Sequence, residues 1–102
     1  MANAIYPKAK EAFLSGAINM SSDTIKIALV DTGTYTYSAS HEHYSDVSGV
    51  LGTPVTLGSK TVTSGVFDAA DATFTTPSAG TSIEALIIYK DSGSASTSDL
   101  IA

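Results

Sequence analysis

The chain has 102 residues, of which 43% are hydrophobic and only 15% charged, and its formal net charge is −5. This length fits one domain, residues 1–102. The five lysines are scattered and arginine is absent, so the clustered cations that nucleic-acid binding requires are missing. The acidic balance also disfavours an anionic membrane surface, and the absence of cysteine excludes disulfides and thiolate chemistry.

The first predicted element is a short N-terminal helix. Pro7 suits its first turn, where a missing N–H costs nothing, and Gly16 is placed to end it. A helix of about ten residues is marginal alone, so we expect its Phe13 and Leu14 side to dock on the rest of the chain. Its predicted apolar face has the spacing i, i+4, i+7 and i+8: Ile5, Ala9, Ala12 and Phe13.

Residues 23–44 form the most informative stretch. Apolar Ile25, Ile27 and Leu29 alternate with Lys26 and Ala28, which predicts a half-buried strand over residues 23–30. After a turn at residues 31–33, the alternation of Thr and Tyr over 34–37 fits a short strand or an extended loop. One helical turn is predicted within residues 41–47.

Short strands and turns are predicted for the rest of the chain. Strand candidates lie at residues 55–57, 60–63, 66–67 and 72–75, with Phe67 and Phe74 as the expected buried aromatics. Breaker residues predict a loop at 76–80. Residues 83–90 are the most apolar and are expected to be the central strand. Many short alternating segments and one helix together predict a mainly β fold, a small antiparallel β-sandwich with one N-terminal α-helix.

The last residues predict the start of a further strand. The Ser- and Gly-rich segment 91–99 is typical of a hairpin loop, after which Leu100 and Ile101 are expected to pair beside 83–90. The chain stops there, which leaves open whether the domain is complete. We expect an exposed sheet edge at this point, completed by a neighbouring subunit or by a separate segment.

Only one cluster has metal-ligand chemistry. His41, Glu42, His43 and Asp46 include two imidazoles that suit zinc or nickel, but a structural site needs four ligands. An exposed polar turn is the favoured interpretation, so no metal site is predicted. Asp68 and Asp71 allow acid–base or calcium chemistry, but turn formation is favoured for them.

No enzyme motif is present. The sequence contains no G-x-S-x-G elbow, no P-loop and no G-x-G-x-x-G segment. We therefore predict a protein without enzymatic activity, catalytic residues or a cofactor. Tyr35, Tyr37 and Tyr44 suit an interface, because tyrosine combines a large apolar ring with a polar tip. A role for one or two of them in covering the core is an equal alternative. The possible interface residues are Tyr35, Tyr37, Tyr44, Leu100 and Ile101.

Three segments resemble a family of small virion proteins of tailed bacteriophages: KIALVDTGTYTYSASHEHYSDV, GSKTVTSGVFDAADATF and EALIIYKDSG. The opening AIYPKAKEAFLSGAI is similar to the start of that family, so the resemblance covers nearly the whole chain. It implies a capsid decoration (cement) protein on the outer head surface. The alternative is a tail or baseplate component, with Tyr35, Tyr37 and Tyr44 touching host glycans.

The resemblance also implies partners and a location. The expected partners are the major capsid protein and copies of the chain itself in a homo-oligomer, with no nucleic acid and no membrane. No run of about 18 apolar residues is present, and the N-terminal lysines do not fit a secretory signal. These features favour synthesis in a cytoplasm, and the resemblance implies the virion as the location after assembly in the host cytoplasm.

Overall fold

The computed structural model describes residues 4–74 and 85–102. Its antiparallel sheets and single N-terminal helix confirm the predicted class, a mainly β fold of the small-sandwich type. The described elements are α1 (Pro7–Ser15), β1 (Ile25–Val30), a 3₁₀ turn (Tyr44–Asp46), β2 (Val50–Thr56), β3 (Thr61–Thr63), β4 (Val66–Asp68) and β5 (Ala85–Lys90). No helix within the described ranges is long and apolar enough to cross a bilayer.

The main sheet has the strand order β2-β1-β5, and both pairings are antiparallel. Its central strand is β1, so the expectation that residues 83–90 would be central is wrong. β5 begins at Ala85 and flanks β1, with Ile25 opposite Lys90 and Val30 opposite Ala85. Residues 99–102 form backbone hydrogen bonds along the other edge of β5, and its Ile87 and Tyr89 side chains are buried. Residues 83 and 84, and the loop predicted at 76–80, lie outside the described residues.

β2 is longer than the predicted segment 55–57. It starts at Val50 and contains Gly52 and Pro54, which hide its strand character in the sequence. Its pairing with β1 shifts register within this part of β2, and Gly52 has a left-handed φ of 70°. Proline and local irregularity both discourage pairing with a foreign strand, so this outer strand is protected against edge-to-edge association.

Both faces of β1 are covered. Side chains alternate between the faces of a strand, so Ala28 and Val30 enter one core cluster and Ile25 enters another. The first cluster also contains Tyr6, Ala9, Tyr35, Ile87, Tyr89 and Leu100. The second contains Ile18, Leu57 and Ile101, with Phe67 packed against it.

The bounds of the helix are as predicted, but its buried face is not. Pro7 begins α1, and Gly16 ends it with a left-handed φ of 81°. Tyr6 and Ala9 are 1% exposed, whereas Leu14 is 90% exposed, so the predicted docking of the Phe13 and Leu14 side is wrong. The Tyr6 N–H donates to the Ile101 carbonyl at 3.0 Å. This bond fixes the start of the helix beside the C-terminal segment and turns the Tyr6 side inward.

Strands β3 and β4 form a hairpin that confirms the candidates at 60–63 and 66–67. Ser64 and Gly65 join them with φ values of 51° and 78°, the left-handed pair that a type I′ turn requires. Residues 72–74 are not in a strand, and residue 75 lies outside the described ranges. Phe67 and Phe74 are half-buried, and the fully buried aromatics of the described chain are tyrosines. Residues 34–38, for which a short strand and an extended loop were the two alternatives, form a loop.

Candidate interface: the tyrosine cluster and the adjacent polar turn

All five tyrosines of the chain come together on one face of the main sheet. They arrive from distant parts of the sequence: the residue before α1, the loop after β1, the 3₁₀ turn, and β5. Three are almost fully buried and two are partly exposed. The tyrosine cluster consists of Tyr6, Tyr35, Tyr37, Tyr44 and Tyr89.

A chain of hydrogen bonds leads from the core to the surface. The Tyr6 hydroxyl lies 2.6 Å from the Tyr35 hydroxyl, and that oxygen lies 2.8 Å from His41 Nδ1. When His41 is neutral with its proton on Nε2, Tyr6 donates to Tyr35 and Tyr35 donates to His41. Over residues 4–74 and 85–102, no buried side-chain nitrogen or oxygen lacks a hydrogen-bond partner, which offsets the cost of taking these groups out of water.

The other rings pack by stacking and tilted contacts. Tyr44 and Tyr89 stack with centroids 4.1 Å apart and planes 10° apart. Tyr6 and Tyr37 meet at 5.0 Å in a tilted arrangement. Aromatic pairs of this kind contribute about 0.5–1.5 kcal/mol beyond the burial of their area. The cluster therefore fixes the loop after β1 and the 3₁₀ turn against the sheet.

Burial is the main cause of the altered acidity of the cluster. It raises the pKa of Tyr6, Tyr35, Tyr44 and Tyr89 above the ordinary tyrosine value, because a phenolate would lose its hydration. These four tyrosines are thus held neutral, and their hydroxyls serve as hydrogen-bond donors and acceptors.

The polar turn beside the cluster is organised by Asp46. Its carboxylate accepts hydrogen bonds from the backbone N–H groups of Glu42 (2.9 Å) and His43 (3.1 Å), and these bonds lower its pKa. His43 Nε2 lies 3.5 Å from the Asp99 carboxylate. Within residues 4–74 and 85–102, no three His, Asp or Glu side chains are grouped closely enough to hold a metal ion.

Of the predicted interface tyrosines, Tyr35 is 2% exposed and belongs to the core. Tyr37 and Tyr44 are half-buried and lie at the edge of the cluster, where part of each ring faces outward. The structure therefore shows that Tyr35 covers the core, and an interface role for Tyr37 and Tyr44 stays a prediction.

Leu100 and Ile101 pair beside β5 as predicted, but their side chains are 0% and 5% exposed. They are enclosed by residues of their own chain. The Ile101 N–H donates to the Ile88 carbonyl, and the Ile88 N–H donates to the Ala102 carbonyl, each at 2.8 Å. The Leu100 N–H in turn donates to the Glu42 carbonyl at 2.9 Å. The expectation of an open sheet edge is therefore wrong over residues 88–90 of β5, because residues 99–102 of the same chain pair with them.

A second surface was not predicted from the sequence. A groove of about 400 Å³ separates the end of α1 and its following loop from the β3–β4 hairpin. Phe13 and Val62, which line it, are 38% and 54% exposed. The groove, called here the hairpin groove, is lined by Phe13, Gly16, Ile18, Asn19, Met20, Ser21, Val62, Gly65 and Phe67. The available signal was Phe13, which the helical spacing placed on the face expected to dock on the rest of the chain.

Comparison with protein-family models, curated proteins and solved structures finds no match.

Proposed function

We propose that this chain is a non-enzymatic structural protein of a tailed-bacteriophage virion. In this proposal it binds the outer surface of the head as a decoration (cement) protein and contacts the major capsid protein and copies of itself. Such a protein needs a rigid scaffold and contact surfaces, and it gains strength when many weak contacts act together in a lattice. The proposal places it in the virion after assembly in the host cytoplasm.

The observation that carries the proposal is the set of large apolar side chains that the chain leaves on its own surface. Leu14 is 90% exposed, Val66 62%, and Val62 and Leu86 54% each. The chain as a whole has few charged residues, 15%, and is rich in Ser and Thr. Single exposed apolar residues are ordinary, but a contiguous apolar surface marks a contact with another protein. Phe13 and Val62 line one groove, which supports such a contact here.

A tail or baseplate location is the alternative. The partly exposed rings of Tyr37 and Tyr44 favour it, since an aromatic ring with a polar tip suits a sugar surface. Tyr35 would support such a site from the core without touching the glycan, because it is 2% exposed.

The experiment that tests the proposal locates the protein on particles. An N-terminal epitope tag is suitable because Ala4 is exposed. Immunogold electron microscopy of virions that carry the tagged chain should label the head surface in many copies. Label confined to the tail or baseplate would replace the proposal with its alternative. Absence of the tagged chain from purified virions would contradict both the head and the tail or baseplate location.

A further inference from the structure

We propose that an arginine side chain of a different protein docks in a depression beside helix α1, with its aliphatic stem against Leu14 and its guanidinium group toward the carboxylates of Glu42 and Asp99. This depression, called here the helix depression, has a volume of about 660 Å³ and is lined by Lys8, Glu11 and Leu14 from α1 and by Glu42 and Asp99 from two other segments. The inference rests on the proposed function and deepens it, because it says which surface would hold the decorated protein.

Backbone hydrogen bonds bring these segments together. The Leu100 N–H donates to the Glu42 carbonyl at 2.9 Å, which sets Glu42 beside the segment that carries Asp99. The Tyr6 N–H donates to the Ile101 carbonyl at 3.0 Å, so α1 starts beside the same segment. The helix depression is therefore a product of the fold and not of any local run of sequence.

The charges around the helix depression favour a cation. One lysine and three carboxylates give its lining a formal charge of −2, and Lys8 is already paired with Glu11 at 3.2 Å. Within residues 4–74 and 85–102, Glu42 forms no ion pair, and the Asp99 carboxylate lies 3.5 Å from His43 Nε2. The last turn of α1 carries no basic residue, and the C-terminal end of a helix also attracts a cation.

The exposed side chain of Leu14 favours arginine as that cation. Leu14 is 90% exposed and offers an apolar surface next to the charges. A long cationic side chain lays its apolar stem on such a surface while its charged end meets a carboxylate. Arginine is less strongly hydrated than lysine, and its planar group donates two parallel hydrogen bonds to one carboxylate. Arginine is also among the residues that contribute most to binding at protein interfaces.

A second copy of the chain does not fit this site. The chain contains no arginine. Four of its five lysines already bind groups of their own chain: Lys8, Lys26, Lys60 and Lys90. A copy with a net charge of −5 would also be repelled by a lining with a charge of −2. The partner is therefore a different protein, which in the proposed function is the major capsid protein.

The first test uses the purified chain and a small probe. N-acetyl-arginine amide is added at high concentration to isotope-labelled chain, and the backbone amide shifts are followed by NMR. Saturable shifts are expected around Leu14, Glu42 and Asp99. N-acetyl-citrulline amide has nearly the same shape without the charge and should give much smaller shifts. Equal shifts with the two probes, no saturable shifts, or the largest shifts around Asp71 would overturn the proposal.

Two substitutions with opposite expected effects test the charges. Glu42→Gln should weaken binding of the arginine probe by about threefold, whereas Lys8→Gln should strengthen it, because it frees the Glu11 carboxylate. The controls Asp71→Asn and Lys10→Gln remove the same charges at exposed residues that do not line the helix depression. They should change the affinity much less. Effects of equal size in variants and controls would contradict the proposal.

Binding to heads assembled without the chain separates this inference from the proposed function. Glu42→Gln should bind these heads more weakly than Asp71→Asn, and binding of the unmodified chain should weaken as salt is added. Equal binding of the two variants would overturn the inference and leave the proposed function in place. Failure of the unmodified chain to bind heads would contradict the proposed function, and the arginine probe would still decide the inference.

Discussion

The hydrogen-bonded chain from Tyr6 through Tyr35 to His41 predicts a specific, non-additive response to mutation. Tyr35→Phe removes the middle hydroxyl, which contacts both the Tyr6 hydroxyl at 2.6 Å and His41 Nδ1 at 2.8 Å. Tyr6 is 1% exposed, so its hydroxyl is left buried without its partner. Tyr6→Phe is milder, because Tyr35 keeps its hydrogen bond to His41.

The magnitudes follow from these contacts. A net hydrogen bond contributes about 1 kcal/mol, and a buried polar group left without a partner costs about 1–3 kcal/mol. We therefore expect Tyr6→Phe to lower the free energy of unfolding by about 1 kcal/mol and Tyr35→Phe to lower it by about 2–3 kcal/mol. In the Tyr35→Phe background, adding Tyr6→Phe removes the unpaired hydroxyl. The second substitution should then be neutral or should restore stability.

The assay is urea unfolding at neutral pH, followed by far-UV circular dichroism because the chain has no tryptophan. The dependence of the unfolding free energy on urea should stay the same in all four proteins, so that differences in midpoint report stability. A coupling of about 1 kcal/mol or more between the two sites is expected for residues in one network. Equal costs of Tyr6→Phe in both backgrounds would refute the hydrogen bond between the two hydroxyls.

Three further predictions concern the whole fold. Burial raises the pKa of four cluster tyrosines above their ordinary value of 10.0, so the stability they contribute should be complete below that pH and lost as the pH rises above it. Phenolate absorbance and circular dichroism should then change together. Ionisation of these four tyrosines without unfolding would contradict this. In denaturant unfolding, Leu100→Ala should lower the free energy of unfolding by about 2–5 kcal/mol and Leu86→Ala by less than about 0.5 kcal/mol, because the two leucines are 0% and 54% exposed. Similar losses for the two variants would contradict the burial of Leu100. Gly49→Ala should lower the melting temperature more than Gly52→Ala. Both glycines have a left-handed φ, but of the two only Gly49 would place a Cβ against another side chain, that of Thr34, at 2.8 Å. Equal decreases in melting temperature would show that the crowding at Gly49 is relieved.

Local signals in the sequence were sufficient for several elements. Pro7 and Gly16 mark the ends of α1 because their backbone preferences act within one turn of the chain. The alternation around Ile27 identified β1 because the side-chain period of a strand is two residues. Gly65 suits the hairpin turn because it adopts a left-handed conformation without steric cost.

Long-range contacts explain what the sequence did not predict. The Tyr6–Tyr35 pair joins residues 29 positions apart, and no local pattern encodes such a contact. The buried face of α1 was assigned incorrectly because Tyr6, rather than Phe13, is held against the last residues of the chain. Apolar spacing does not distinguish a face that packs on its own core from one that meets another protein. Leu14, which is 90% exposed, was therefore expected to dock on the chain itself when it does not.

The central claim is that this domain binds the outside of a phage head as a structural component. The most direct measurement uses heads assembled without the chain, incubated with purified chain and imaged by cryo-electron microscopy. We predict regular added density on the outer surface, fitted by the β2-β1-β5 sheet with α1 at its side, together with later release of DNA on heating. Heads that gain no density and release DNA at the same temperature as untreated heads would contradict the claim.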